Sequence, residues 1–103
     1  MTYVVSKEFS DAPGGRFRTD GPLSGEEFRE TILKELLQTH SGTKILVDLD
    51  GGFGYAPSFL EEAFGGLARQ IGADEVRTSF DFKSDDEPDL LAKIQEYISN
   101  ANA

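Results

Sequence analysis

An α/β fold built on a mixed four-stranded sheet, with an opening hairpin and about three helices, is what this sequence of 103 residues predicts. Two patterns carry the prediction. Apolar residues change back and forth between strand spacing and helix spacing along the chain. The run Lys44-Ile-Leu-Val-Asp-Leu49 is aliphatic with almost no alternation, as a central strand covered on both faces would be. The length suits one hydrophobic core, so residues 1–103 are expected to form a single domain.

Residues 2–9 place Tyr3, Val5 and Phe9 at alternate or near-alternate positions and read as the opening strand. Ser10-Asp-Ala-Pro-Gly-Gly15 is dense in turn formers, and Arg16-Phe-Arg18 reads as a short second strand that completes a hairpin. Ser24-Gly-Glu-Glu27 has capping-box spacing, in which the serine oxygen takes an N–H of the first turn and the glutamate reaches back. The helix that follows carries Phe28, Ile32, Leu33, Leu36 and Leu37 on one stripe and ends at Gly42.

After the central strand, Ser58-Phe-Leu-Glu61 repeats the capping-box spacing. A second helix is expected from there to Gly72, burying Leu60, Ala63, Phe64, Leu67 and Ile71. Residues 75–82 alternate Val76, Thr78, Phe80 and Phe82 against polar neighbours, the period of a strand near the sheet edge. Asp85-Asp-Glu-Pro88 opens the last helix, which packs through Leu90, Leu91, Ile94, Tyr97 and Ile98, and residues 100–103 should fray. Strands alternating with helices imply that the later strands run parallel through right-handed crossovers.

Nineteen acidic residues against ten basic give a formal net charge of -9, so a nucleic-acid backbone or an anionic membrane would be repelled over most of the surface. Hydrophobic residues make up 38% of the chain in periodic clusters, which argues for a core rather than disorder. The absence of cysteine excludes disulfides and thiolate metal sites and fits a reducing compartment, so the expected location is the cytoplasm. The polar start and the lack of any long apolar run predict neither a signal peptide nor a membrane span.

Ser58, at an expected helix start, is the leading candidate for function. Free N–H groups and the helix dipole favour an anion there, so the serine is expected to cap the helix, to bind a phosphate or to carry one. Asp48 and Asp50 end the central strand, where open α/β sheets place ligands. They read as turn formers or, with too few ligands for strong support, as a magnesium pair. Gly51-Gly-Phe-Gly54 lacks the lysine and the spacing of a nucleotide loop. Phe53, Tyr55 and Phe59 crowd the same helix start, some as core and any exposed ring as an anchor for a partner.

Arg16 and Arg18 flank Phe17, so on a strand both point to one face. There they contact a phosphate or neutralise Asp20, Glu26 or Glu27. His40, the single histidine, decorates the end of the first helix. A nucleophilic triad has no parts to be built from, and neighbouring carboxylates such as Glu61 and Glu62 diverge on a helix, so neither an enzyme, a cofactor nor a metal is expected.

The blocks Arg16-Phe-Arg-Thr-Asp-Gly-Pro-Leu-Ser-Gly-Glu-Glu-Phe-Arg-Glu30 and Gly54-Tyr-Ala-Pro-Ser-Phe-Leu-Glu-Glu-Ala-Phe-Gly-Gly-Leu-Ala-Arg69, with the buried strand between them, resemble a STAS-like bacterial family of unknown function. That family is similar in fold to the STAS domains of anti-sigma factor antagonists. In those antagonists an Asp-Ser-Ser-Gly-Leu pattern opens the helix after the central strand, and a histidine-kinase-like ATPase phosphorylates its first serine. Laid on that pattern, Ala56 takes the aspartate place, Pro57 the phosphoserine, Ser58 the second serine and Leu60 the leucine. The resemblance implies a regulatory, protein-binding STAS-like domain with phosphorylation displaced to Ser58. Its expected contact residues are Arg16, Arg18, Asp20, Phe53, Tyr55, Phe59 and Glu62. A small-anion or nucleotide sensor using the same helix start is the alternative.

Overall fold

The computed structural model describes residues 1–102. Three short strands form one parallel sheet in the order β1 (Thr2–Val4), β2 (Ile45–Asp48), β3 (Phe80–Lys83). Tyr3 lies opposite Val47, and Val47 opposite Phe82. Five helices surround it: α1 (Val5–Glu8), α2 (residues 25–39), α3 (residues 57–71), α4 (Ala73–Ser79) and α5 (Asp89–Ser99). The fold is therefore a small α/β domain with three parallel strands and five helices, where four mixed strands and three helices are predicted.

The missing strand is residues 16–18. Phe17 is extended, but the segment bonds to the start of α2 rather than to the sheet. The carbonyls of Gly15 and Arg16 accept from the N–H groups of Gly25 and Glu26 at 2.9 and 3.0 Å, and Arg18–Asp20 then tightens into a 3-10 turn. Those two N–H groups belong to the first turn of α2, where no intrahelical acceptor exists, so the segment acts as a backbone cap. The opening strand is also shorter than predicted. Glu8 curls back so that its carboxylate accepts from Val4 N at 2.7 Å, which turns residues 5–8 into one helical turn.

Residues 75–79 are the largest departure, because they belong to α4 and not to a strand. Gly72, with φ +97°, ends α3 and redirects the chain, and Asp74 and Glu75 then fall in the first turn of α4, where the dipole favours acids. Val76 is the one buried side chain of that helix. The expected edge position does hold for β3.

The central strand is covered on one face only. Ile45 and Val47 are buried, while Leu46 and Asp48 are half-buried. On the buried face Tyr3 meets Phe28 at 6.0 Å between ring centroids, and Phe64 meets Phe82 edge-on at 4.9 Å, which ties α2 and α3 to the sheet. Leu60, Ala63, Phe64 and Leu67 are buried as predicted, but Ile71 is exposed. No helix among the described residues is long and apolar enough to cross a membrane.

Candidate functional site

The chain leaves β2 through a loop of residues 49–56 that is held at several points. Asp48 Oδ1 accepts from Asp50 N at 2.9 Å, an Asx-type turn. Asp50 accepts from Lys83 Nζ at 2.7 Å and from the N–H groups of Asp86 and Asp85 at 2.8 and 3.1 Å. Asp86 returns the bond, accepting from Gly51 N at 2.9 Å. The loops after β2 and β3 are thus clipped together.

The Lys83 ammonium first, then the two backbone N–H groups, pull the Asp50 carboxyl down to about 2. Asp50 and Asp85 in turn raise the Lys83 ammonium above its usual range. Both Asp50 oxygens and Asp48 Oδ1 are thereby engaged. Among the described residues no three acidic or histidine side chains are grouped as a metal would require.

Further along, Phe53 N donates to the Asp11 carbonyl at 2.8 Å, and Tyr55 donates its hydroxyl to the Leu49 carbonyl at 3.0 Å. Burial first, then the charges of Asp48 and Asp50, push the Tyr55 phenol above its ordinary range. Held by its own N–H, Phe53 projects its ring outward with 86% of its surface exposed. The three aromatics therefore separate: Phe53 is free, Tyr55 is half-buried, and Phe59, only 1% exposed, is core against Phe28 and Phe9. Phe59 is not available to a partner.

At the helix start, the capping residue is Ala56, with Pro57 at the first helical position and Ser58 at the second. Proline fits the first position because its φ is already helical and its missing N–H would have had no partner there. The predicted capping box of Ser58 and Glu61 is not formed. Ser58 is half-buried, and its hydroxyl makes no hydrogen bond among the described residues. At Ser24 half of the predicted box forms: its Oγ accepts from Glu27 N at 3.0 Å, while the Glu27 carboxylate accepts from Leu23 N at 3.3 Å and not from Ser24 N.

Arg16 and Arg18 do not share a face. Arg16 pairs with Glu61 and Glu62 of α3, whereas Arg18 is exposed and its N–H donates to Glu26 at 2.9 Å. Asp20 is exposed and accepts from Phe17 N at 2.9 Å. Glu62 is 8% exposed and is clamped by Arg29, whose Nη1 also donates to the Glu62 carbonyl at 3.0 Å. Like Phe59, it belongs to the interior and not to a docking face.

The sequence reading missed this buried pair. Arg29 has the 29, 33, 36 spacing of the apolar stripe on α2, which was the available signal. It lies in a π-wound stretch, Phe28–Leu33, that faces a second π-wound stretch, Glu61–Gly65, in α3. Burial lowers the Arg29 pKa, but hydrogen bonds to Glu30 and Glu62 outweigh it and leave the net shift upward.

The family described as a STAS-like domain of unknown function (DUF4325) matches residues 24–90, from the cap of α2 into α5. The chain belongs to that family. Neither a curated protein nor a solved structure matches it. The family match contains the loop after β2, Ser58 and the Arg29–Glu62 pair, while Arg16, Arg18 and Asp20 lie before it.

Three carboxylates give the domain an acid limit. Glu30 is held at about 2 by Lys34 first and then Arg29, Asp50 is held at about 2, and Glu61 is lowered chiefly by Arg69. Groups depressed on folding stabilise above their ordinary values of 4.5 and 3.8 and lose that contribution as pH falls through the folded values. The urea midpoint should therefore drop progressively below about pH 4, and the Glu30 and Asp50 carboxyl carbon resonances should move only near pH 2. Resonances titrating at the ordinary values would remove these pairs from the account.

Proposed function

We propose that this STAS-like domain is a non-enzymatic regulatory module that binds another protein through the loop of residues 49–56 and the start of α3, as an anti-sigma factor antagonist does. The observation that carries the reading is Phe53: a large ring, 86% exposed, on a loop fixed at both sides. An aromatic held out in this way can enter a partner's pocket with little further ordering cost. By family analogy the partner is a histidine-kinase-like ATPase.

Charge control operates at Ser58. The serine is in the first turn of α3, where the dipole favours a phosphate, so added charge leaves the helix intact while opposing an apolar contact beside Phe53. Asp50, Asp85, Asp86 and Glu87 surround the same end of the sheet, which weighs against the small-anion alternative and favours a partner with basic residues at its rim.

A photo-crosslinking residue at position 53, in cells that naturally carry the chain, should trap one protein. The substitution Phe53→Ser should abolish co-purification with it while shifting stability by less than about 0.5 kcal/mol. Ser58→Asp should release the partner without unfolding, and Ser58→Ala should not. If position 53 crosslinks no more than the exposed position 95 does, the docking reading is wrong.

A further inference from the structure

The two edges of the sheet differ. Leu46 N donates to the Met1 carbonyl at 3.0 Å, so Thr2 and Val4 turn their backbone N–H and C=O groups away from β2. At Val4 the outer N–H is taken by the Glu8 carboxylate at 2.7 Å, which blocks that edge. On the other side, Leu49 N donates to the Lys83 carbonyl at 2.8 Å, so Asp81 and Lys83 present their backbone to β2 while Phe82 presents its own outward. Phe80 N closes α4 on the Val76 carbonyl, but among the described residues no backbone group outside the ladder bonds to Phe82 N or O. An unpaired edge of this kind is a template for another strand.

The side chains of β3 say which strand fits. Phe80 and Phe82 point to the covered face, where Phe82 is half-buried against Phe64, and Asp81 and Lys83 point to the open face. Charges on an edge strand ordinarily repel a newcomer. Here they have opposite signs and flank Phe82 symmetrically, which makes the strand complementary to itself. In an antiparallel pair centred on Phe82, each Phe82 N–H donates to the Phe82 carbonyl of the other copy, and each Asp81 lies opposite Lys83 of the other copy. That charge pair falls at a non-hydrogen-bonded position, where opposed side chains come closest. Sliding by two residues sets Asp81 against Asp81 one way and Lys83 against Lys83 the other, so the charges select a single register. Within its own chain Asp81 has Lys44 at 3.4 Å, and Lys83 has Asp50 and Asp85 at 2.7 and 3.1 Å, so the new contact joins existing pairs and strands no charge.

We propose that β3 pairs antiparallel with β3 of a second copy of this chain, about a two-fold axis at Phe82, so that two three-stranded sheets become one. The axis sets the two Phe82 rings side by side on the covered face, which adds apolar cover to a ring that one copy leaves half-buried. Contact between four-residue strands buries little surface, so the dimer is weak and builds with concentration. The net charge of -9 on each copy opposes approach, whereas the paired charges act at contact distance. The inference makes no use of the loop after β2 and stands if the docking reading fails.

Sedimentation velocity of the full chain, run from micromolar to millimolar concentration in about 0.15 M salt, tests it, because charges are then screened beyond about 8 Å. A monomer–dimer equilibrium is expected. Asp81→Lys and Lys83→Asp each set like charges opposite one another twice per dimer, so self-association of either variant should weaken at least about tenfold. An equimolar mixture of the two variants restores opposite signs at both contacts and should dimerise again. Should Lys83→Asp unfold through loss of its bond to Asp50, the exposed Asp81→Lys variant and the amide resonances decide alone. The Phe82 amide of the parent chain should shift with concentration and the Val4 amide should not. A chain that stays monomeric at millimolar concentration, a dimer that Asp81→Lys leaves intact, or a folded mixture that does not associate would overturn the proposal.

Discussion

Replacing Arg29 by leucine is expected to destabilise the domain by about 3 kcal/mol, the usual consequence of leaving one charge of a buried pair without its partner. Arg29 and Glu62 are each 8% exposed, and the guanidinium binds both the carboxylate and the carbonyl of Glu62. Glu62 would keep Arg16 at 3.1 Å, but that side chain is one-third exposed and is shared with Glu61, so it replaces only part of the loss. The pair itself is a different matter from the cost of breaking it. Desolvation of two charges offsets much of their attraction, and changing both residues to leucine should recover most of the lost stability. Urea unfolding of the single and double variants, compared by midpoint at constant slope, makes the distinction. A single variant within 1 kcal/mol of the parent would mean that water reaches Glu62.

How far the fold could be read from the residues depended on whether a segment carried a start signal as well as a period. α2 did, with Ser24 and Glu27 ahead of a clear stripe, and α5 did, with Pro88 ahead of Leu90, Ile94 and Ile98. β2 was plain from its aliphatic run, although its outer face is half-open rather than covered. Residues 75–82 had only a period, and eight residues alternating in polarity are also compatible with a short helix that buries Val76 alone, followed by a strand. Tertiary packing against that single valine decided between them.

The candidate site was legible in outline and not in detail. The loop of glycines and aromatics was legible as the segment that joins β2 to α3, but which ring would be exposed was set by contacts the spacing does not show: Asp11 for Phe53, the Leu49 carbonyl for Tyr55 and Phe28 for Phe59. Ser58 looked like a cap because Glu61 follows at the correct spacing. Pro57 overrode that pattern by occupying the first helical position, which moved the cap back to Ala56. Arg16 and Arg18 were separated for a similar reason, since their segment bonds to a helix start and never adopts the alternation of a strand.

Gly25→Ala should cost about 2–3 kcal/mol, and the sign of that effect is the informative part. In an ordinary helix alanine is favoured over glycine by roughly 1 kcal/mol, so a neutral environment predicts a gain. Here a Cβ on residue 25 would come within 2.5 Å of the Phe59 carbonyl oxygen and 3.1 Å of Glu62 Cβ. The first of these atoms is backbone of α3 and the second is rooted on it, so neither can swing aside as a side-chain tip would. Relief requires α2 and α3 to separate at the place where Ser24 is fully buried and where Arg29 must reach Glu62. Gly15→Ala is the control: its Cβ would meet only Asp20 Cβ, at an ordinary 3.8 Å, and stability should change by less than about 0.5 kcal/mol. If the two variants unfold at the same urea concentration, the close crossing of α2 over α3 is wrong, and with it the reason that the Arg29–Glu62 pair is shut off from water.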